Sequence, residues 1–420
     1  MHSKTIYYPS IEAIETASLR LKDVAITTPL TQNIYNSKKF NCTVLFKRED
    51  LQIVRSYKIR GAYNKISSLN ADEKSRGIVC ASAGNHAQGV ALSCKLLKIK
   101  GTIYMPSPTP NQKIEQVKMF GEEYITIVLD GDTFDDAYHA AMIVCKEQNK
   151  TFIHPFNDKK VIEGQATLGL EILNQTNQPI DYIFVPVGGG GLAAGLSSVF
   201  KKQSPNTKII GVEPTGAPSM STSIKNNKNT SLSEIDPFVD GAAVKRVGDL
   251  SFAICKENLS DMITIPEGKI CQTILDLYNR NAIVVEPAGA LSIAALDSYA
   301  DKIKSKNVVC IISGSNNDIT RTAEIKERAL LYANLKHYFI VKFPQRVGAL
   351  KEFLVDILGP TDDITHFEYT KKTNRENGFA VVGLELKSEK DLAPLVAKMK
   401  KHNFYGDYLN DKPDLFQFLV

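Results

Sequence analysis

The 420-residue chain has no pair of cysteines close enough to grip a metal or pass electrons as a unit. Its seven cysteines (Cys42, Cys80, Cys94, Cys145, Cys255, Cys271 and Cys310) are odd in number and never closer than fourteen positions apart. That excludes a C-x-x-C zinc or redox motif and does not suit a disulfide framework, so a reduced, cytoplasmic compartment is expected. Basic runs are missing too. No stretch of Lys or Arg exceeds two residues, and 51 basic against 46 acidic side chains leave a net charge of only +5. Electrostatics therefore offers no case for nucleic acid or an anionic membrane as partner. The N-terminal MHSKTIYYPSIEAIE lacks an apolar core, so no signal peptide is expected. Tyr182 to Phe200 runs nineteen residues without a charge, but its five glycines and one proline fit a strand, loop and helix better than a membrane span.

What is present is ordinary globular composition, 43% apolar and 23% charged, which excludes disorder and low-complexity scaffolding. At roughly 150 residues per domain the length predicts two or three domains. From about residue 44, short apolar runs alternate with helix-period segments. Strands are predicted over 77–82, 101–106, 123–129, 151–155, 182–187, 208–214 and 307–313, and helices over 85–98, 111–121, 133–148, 161–175 and 192–202. Strands and helices alternating at these lengths argue for an α/β fold, parallel sheet covered by helices. Ligands in such folds sit beyond the C-terminal ends of strands.

After a helical segment over 319–335 the texture changes. Strands are predicted over 336–343, 363–373 and 378–386, with helices over 346–358 and 389–403. This β-α-β-β-α order is most of a ferredoxin-like α+β unit. Domain boundaries are therefore expected at 1–325, a helical linker at 326–335, and 336–420. The polar stretch 224–234 reads as a surface loop.

Four small motifs each fall at a predicted strand end. The first, Ser56-Tyr57-Lys58-Ile59-Arg60-Gly61-Ala62, holds a lysine close to an arginine. Such a pair is most often solvated; the sharper reading is a pocketed amine, its pKa lowered by burial and Arg60, able to form a Schiff base. The second, Ser82-Ala83-Gly84-Asn85-His86, leads a strand into a helix whose free N–H groups can bind a carboxylate. Its plain alternative is a helix cap by Ser82 or Asn85, with His86 as a packing histidine.

The third motif, Gly188-Gly189-Gly190-Gly191-Leu192, lets backbone wrap a phosphate at a helix start. It also mimics a dinucleotide fingerprint: Gly189-x-Gly191-x-x-Ala194, with Glu213 following Gly191 by 22 residues. Taken alone, that would favour a nicotinamide-dependent oxidoreductase. The fourth is Ser313-Gly314-Ser315-Asn316, which is no more than a turn when read by itself. Glu286-Pro287-Ala288-Gly289-Ala290 likewise reads first as the start of a helix.

The ordered set S-Y-K-x-R-G-A, SAGNHAQG, GGGGL, EPAGA and SGSN resembles the threonine dehydratase group of fold-type II pyridoxal-phosphate enzymes, over roughly residues 20–325. The remainder, with Pro344-Gln345-Arg346-Val347-Gly348-Ala349-Leu350, resembles one ACT-like regulatory domain. The two together match the short bacterial form of the biosynthetic family. The resemblance implies a catalytic part with two parallel-sheet lobes and pyridoxal 5'-phosphate as cofactor. Lys58 would carry it and act as general base, Asn85 would bond its phenolic oxygen, Gly188 to Gly191 and Leu192 its phosphate, and Ser313 its ring nitrogen. A neutral hydroxyl at that nitrogen favours loss of a β-leaving group over transamination. Substrate contacts would come from Ser82, Ala83, Gly84, His86 and Glu286.

The implied reaction converts L-threonine to 2-oxobutanoate and ammonia, under feedback by isoleucine or valine, in a homo-oligomer, by family a tetramer. Serine racemases of the group carry a serine at Ala83's position and an acid at Ser219's; here neither is present, so racemisation is disfavoured and no metal is expected at Glu213. Ser315 replaces a glycine common in the last loop. The rivals are a degradative serine/threonine dehydratase, the nicotinamide oxidoreductase, and an amino-acid sensor without catalysis. For 336–420 the plain alternative is a packing module that binds nothing.

Overall fold

The computed structural model describes residues 7–369, 376–412 and 414–416. They form two compact units that divide between Ile319 and Thr320. The first contains two sheets. One runs in the order Ile125–Leu129, Gly101–Met105, Ile78–Ala81, Thr151–Phe152, all parallel. The other runs Leu30–Gln32, Thr43–Arg48, Asn307–Ile312, Tyr182–Pro186, Lys208–Pro214, Asp261–Ile265; only the short Leu30–Gln32 edge is antiparallel. Every residue of Ile78–Ala81 and of Tyr182–Pro186 is buried, as expected for parallel strands covered on both faces.

The cores follow from this layering. Ile162, Ala166, Ile172, Leu196 and Val199, from the helices Lys159–Gln175 and Gly191–Gln203, pack with Ile183, Val185 and Val309 of the larger sheet. Ile78, Cys80, Val90, Ala91, Ile103 and Val117 form the smaller lobe's core. Most predicted elements fall within two residues of the observed ones, and the helix Asn111–Gly121 has the predicted bounds. One differs in a way that matters. The predicted strand 151–155 ends at Phe152, and His154 to Asn157 turn into a loop.

The second unit holds an antiparallel sheet ordered Asp363–Tyr369, Asn377–Glu385, Lys336–Pro344, Tyr405–Tyr408. Its helices Ala349–Glu352, continuing as a π-turn through Ile357, and Leu392–Lys401 bring Phe353, Ile357, Leu395 and Met399 to a core with Phe339, Val341 and Phe343. The strand Tyr405–Tyr408 completes the ferredoxin-like order. The helix Thr322–Tyr332 belongs to this unit. Residues 370–373 of the expected strand 363–373 lie outside the described residues.

Candidate active site

Lys58 is the first residue of the helix Lys58–Ser67. The segment before it is tied to the loop after the strand Asn307–Ile312: Ser56 bridges Gly314, and the Tyr57 N–H donates to the Ser313 carbonyl at 3.1 Å. The Lys58 amine donates to the Pro155 carbonyl at 3.2 Å and lies 5.2 Å from the Tyr57 ring centre. Arg60 does not flank that amine as the sequence suggested. Side chains two apart on a helix do not share a face, and Arg60, 1% exposed, makes bidentate bonds to Glu49 (2.8 and 2.8 Å) and Glu171 (2.6 and 2.9 Å).

The glycine loop joins the strand Tyr182–Pro186 to the helix Gly191–Gln203. None of the backbone N–H groups from Gly188 to Ala193 has a protein acceptor among the described residues. Gly190 sits at φ 87°, left-handed, and a Cβ there would lie 2.7 Å from the Met220 methyl. A Cβ at Gly189 would run into the Phe156 ring. The loop is thus bare backbone because neighbouring side chains leave room for nothing else, and its donors and helix dipole favour an anion.

The Ser82–His86 loop is a second cradle. The Ser82 hydroxyl accepts from the Gly84 N–H at 3.3 Å, and no side chain caps the helix Asn85–Leu97. The N–H groups of Ala83, Asn85, His86 and Ala87 have no protein acceptor among the described residues. Asn85 instead turns its amide sideways, donating to Glu286 Oε1 at 2.7 Å and accepting from Asn316 at 2.7 Å. His86 faces away, its Nε2 2.8 Å from the Ile153 carbonyl. Burial, with Lys58 nearby, pushes its pKa down to about 3, so it is a neutral packing histidine.

Glu286 is 4% exposed, and burial, then the charge of Asp240, raises its pKa to about 7 despite Asn85, Lys113 and Lys58. Ser313 is 2% exposed and its hydroxyl has no protein partner among the described residues. Sequence reasoning missed the segment Ile153–Asn157, which links these loops. Its Pro155 carbonyl takes the Lys58 amine and its Ile153 carbonyl faces His86. Phe156 packs on the glycine loop, and His154 Nδ1 accepts the Phe156 and Asn157 N–H groups at 3.2 and 2.9 Å. The available signal was a His-Pro-Phe-Asn run at a strand end, where the other motifs also stand.

Glu213, the residue that completed the dinucleotide fingerprint, is fully buried. It accepts the N–H groups of Met220 (2.6 Å) and Ser221 (2.9 Å) and the Ser221 hydroxyl (2.7 Å). It caps a helix rather than facing a ribose. Ser219 donates to the Val244 carbonyl.

Residues 21–314 match the family described as pyridoxal-phosphate dependent enzyme, and residues 327–419 match the C-terminal regulatory domain of threonine dehydratase. The chain belongs to the pyridoxal-phosphate dependent threonine dehydratases. Relatives in that family include the protein named L-threonine dehydratase biosynthetic IlvA of Halalkalibacterium halodurans. It is 53% identical over 410 residues, covering 98% of this chain and 99% of the relative. The protein of the same name from Bacillus subtilis is also 53% identical, covering 98% and 97%. Among solved structures, the processed form of threonine deaminase isoform 2 from Solanum lycopersicum is 40% identical with a TM-score of 0.72, over 77% of this chain and 95% of that one. Maize serine racemase is 30% identical with a TM-score of 0.72, over 78% and 99%. Membership of the threonine dehydratases makes the chain a lyase with pyridoxal 5'-phosphate as its cofactor.

The residues present fit that group. Among the described residues the glycine cradle offers unpaired donors where a Cβ could not stand, the Ser313 hydroxyl has no partner and could meet a ring nitrogen, and the Lys58 amine donates to one carbonyl. No described helix is long and apolar enough to cross a membrane.

Proposed function

We propose that the chain eliminates water from L-threonine and yields 2-oxobutanoate and ammonia, the first step of isoleucine biosynthesis. The observation that supports this reading is the bond of the Lys58 amine to Pro155, on a segment whose Phe156 packs on the glycine loop and whose Ile153 carbonyl meets His86 of the other loop, each loop carrying N–H groups without a protein acceptor among the described residues. In this assignment Gly188 to Gly191 and Leu192 hold the cofactor phosphate, Asn85 its phenolic oxygen and Ser313 its ring nitrogen. When bound, pyridoxal phosphate supplies a sink for the electron pair left at the amino acid's Cα. The N–H groups of Ala83, Asn85, His86 and Ala87 hold the substrate carboxylate and so aim the Cα–H bond at the Lys58 amine. That amine takes the Cα proton, and the β-hydroxyl would take a proton from the cofactor phosphate held by the glycine loop and leave as water. The 2-aminobut-2-enoate released then tautomerises and takes up water to give 2-oxobutanoate and ammonia. Glu286 orients Asn85 by accepting from its amide.

The catalytic part is assigned to 1–325, the connecting helix to 326–335 and the regulatory part to 336–420, in a cytoplasmic homotetramer. Isoleucine or valine is the proposed effector. Supporting it is a cavity of about 280 Å³ in the second unit, lined by Phe343, Gln345, Leu350, Phe367 and Tyr369 among others. That is at the lower edge of roughly 300–1,000 Å³ for drug-sized ligands and suits a small aliphatic amino acid. The maize serine racemase likeness supports a second reading, action on serine.

The test is 2-oxobutanoate release from L-threonine by cofactor-loaded protein, with Lys58→Ala expected to fold yet lose at least about a thousandfold in rate. Turnover surviving that substitution removes Lys58 from its role, and pyruvate from L-serine at the higher kcat/KM would select the second reading. For the effector, Leu350→Asp is expected to weaken inhibition by isoleucine about tenfold while leaving uninhibited turnover unchanged. An unchanged inhibition curve would remove that cavity.

A further inference from the structure

One side chain beside this site does work that the assigned residues do not explain. Asn316 follows the Ser313 loop, and its Nδ2 donates both to the Val54 carbonyl at 2.9 Å and to Asn85 Oδ1 at 2.7 Å. Both partners on that side are acceptors, so the amide nitrogen must face them. Its own oxygen then lies buried with no partner among the described residues. The Val54 carbonyl is fixed by the backbone, which leaves the Asn316 amide no equally good flipped state.

The consequence is carried to Asn85. With its oxygen held by Asn316, Asn85 can only present its NH2 group on the opposite side, where one hydrogen goes to Glu286 Oε1 at 2.7 Å. The second hydrogen has no protein acceptor among the described residues. A free asparagine amide can turn over and offer an acceptor instead of a donor. An acceptor would repel an anionic phenolic oxygen and, wherever Glu286 is ionised, its carboxylate as well. Asn316 removes that choice.

We propose that Asn316 is a positioning residue that fixes the polarity of Asn85, so that Asn85 donates to the cofactor's phenolic oxygen. The proposal rests on the reading that the cofactor sits against Asn85. Asn316→Asp reverses the arrangement: a carboxylate cannot donate to Asn85 Oδ1, and the Asn85 amide turns its oxygen inward. Asn316→Ala merely removes the restraint.

The experiment compares full-length wild type, Asn316→Asp and Asn316→Ala, each titrated with pyridoxal phosphate. The visible absorbance of the lysine-bound cofactor, its pH titration and the cofactor Kd are read for each, beside melting of the cofactor-free proteins. Expected are a shifted absorbance band and titration midpoint, and a cofactor Kd raised about tenfold in Asn316→Ala and more in Asn316→Asp. The cofactor-free melting temperatures should stay together. Wild-type spectra and affinity in both variants overturn the proposal. So does a loss of affinity that only tracks a loss of cofactor-free stability, which would make Asn316 a structural residue. A wild type without lysine-bound absorbance overturns the cofactor placement itself, and this proposal with it, which separates the two failures.

Discussion

The carboxyl of Glu286 and the amide of Asn85 meet at 2.7 Å although 201 residues separate them. Burial, and after it the charge of Asp240, lifts the Glu286 pKa from an ordinary 4.5 to about 7. The folded protein therefore holds a proton there between pH 4.5 and 7 that the unfolded chain has released. Stability from this group is full below pH 4.5 and is lost as pH rises toward 7. Each unit is worth about 1.4 kcal/mol, so the difference between wild type and Glu286→Gln should fall by about 3 kcal/mol across that window. Denaturant unfolding of the cofactor-free proteins at several pH values measures it. A difference that stays flat would show that Glu286 ionises normally.

The glycine loop makes a steric prediction. A methyl at Gly189 meets the Phe156 ring, whereas one at Gly84 meets nothing within 4 Å. Gly189→Ala is expected to cost about 2 kcal/mol through overpacking and to weaken cofactor binding by moving the donors. Gly84→Ala should stay within about 0.5 kcal/mol of wild type and raise KM for threonine instead. Chemical unfolding and cofactor titration of both variants decide the matter; similar losses in the two would mean that the loop is not held by Phe156.

Loops of this kind are legible in a sequence because glycine and small polar residues at strand ends have few other uses. The chain's alternation of strand and helix was equally legible, since parallel strands buried on both faces leave unbroken apolar runs such as Tyr182–Pro186. What escaped was governed by partners distant in sequence. Ile153–Asn157 reads as the end of a strand, yet Pro155 has no N–H to give a ladder and its carbonyl serves Lys58. The strand Asp261–Ile265 is half exposed at a sheet edge and carries little pattern. Asn316 looks like a turn residue until Val54 and Asn85 are brought to it.

The sequence proximity of Lys58 and Arg60 misled for a related reason, and their separation yields a stability prediction. Arg60 joins Glu49 and Glu171, and Lys47 donates to Glu171 at 2.8 Å. Burial opposes the Glu49 charge, but Arg60 and Lys47 outweigh it and hold the carboxyl below its usual range. Arg60→Met strands that carboxylate in the interior. A loss of about 3–5 kcal/mol is expected, with the cofactor's visible spectrum unchanged in whatever protein remains folded. Urea unfolding and absorbance measure the two effects; a spectral change without a stability loss would return Arg60 to the amine.

The face of the substrate opposite Lys58 gives the last prediction. Ala83 is half-buried in the Ser82–His86 loop, beside the small-lobe core. On the proposed assignment Ala83 stands on the face opposite Lys58, and a methyl has no proton to give, so a Cα that had lost its proton to Lys58 would be reprotonated only from the side it left and elimination would be favoured. Ala83→Ser adds a hydroxyl at that point with almost no change of volume. The variant is expected to form a trace of D-serine from L-serine, above a wild-type background of none, while retaining most of its threonine elimination. Chiral chromatography after prolonged incubation detects the product. D-serine absent from the variant would locate the control of racemisation elsewhere in the loop, whereas D-serine already present with wild type would end the argument from Ala83 altogether.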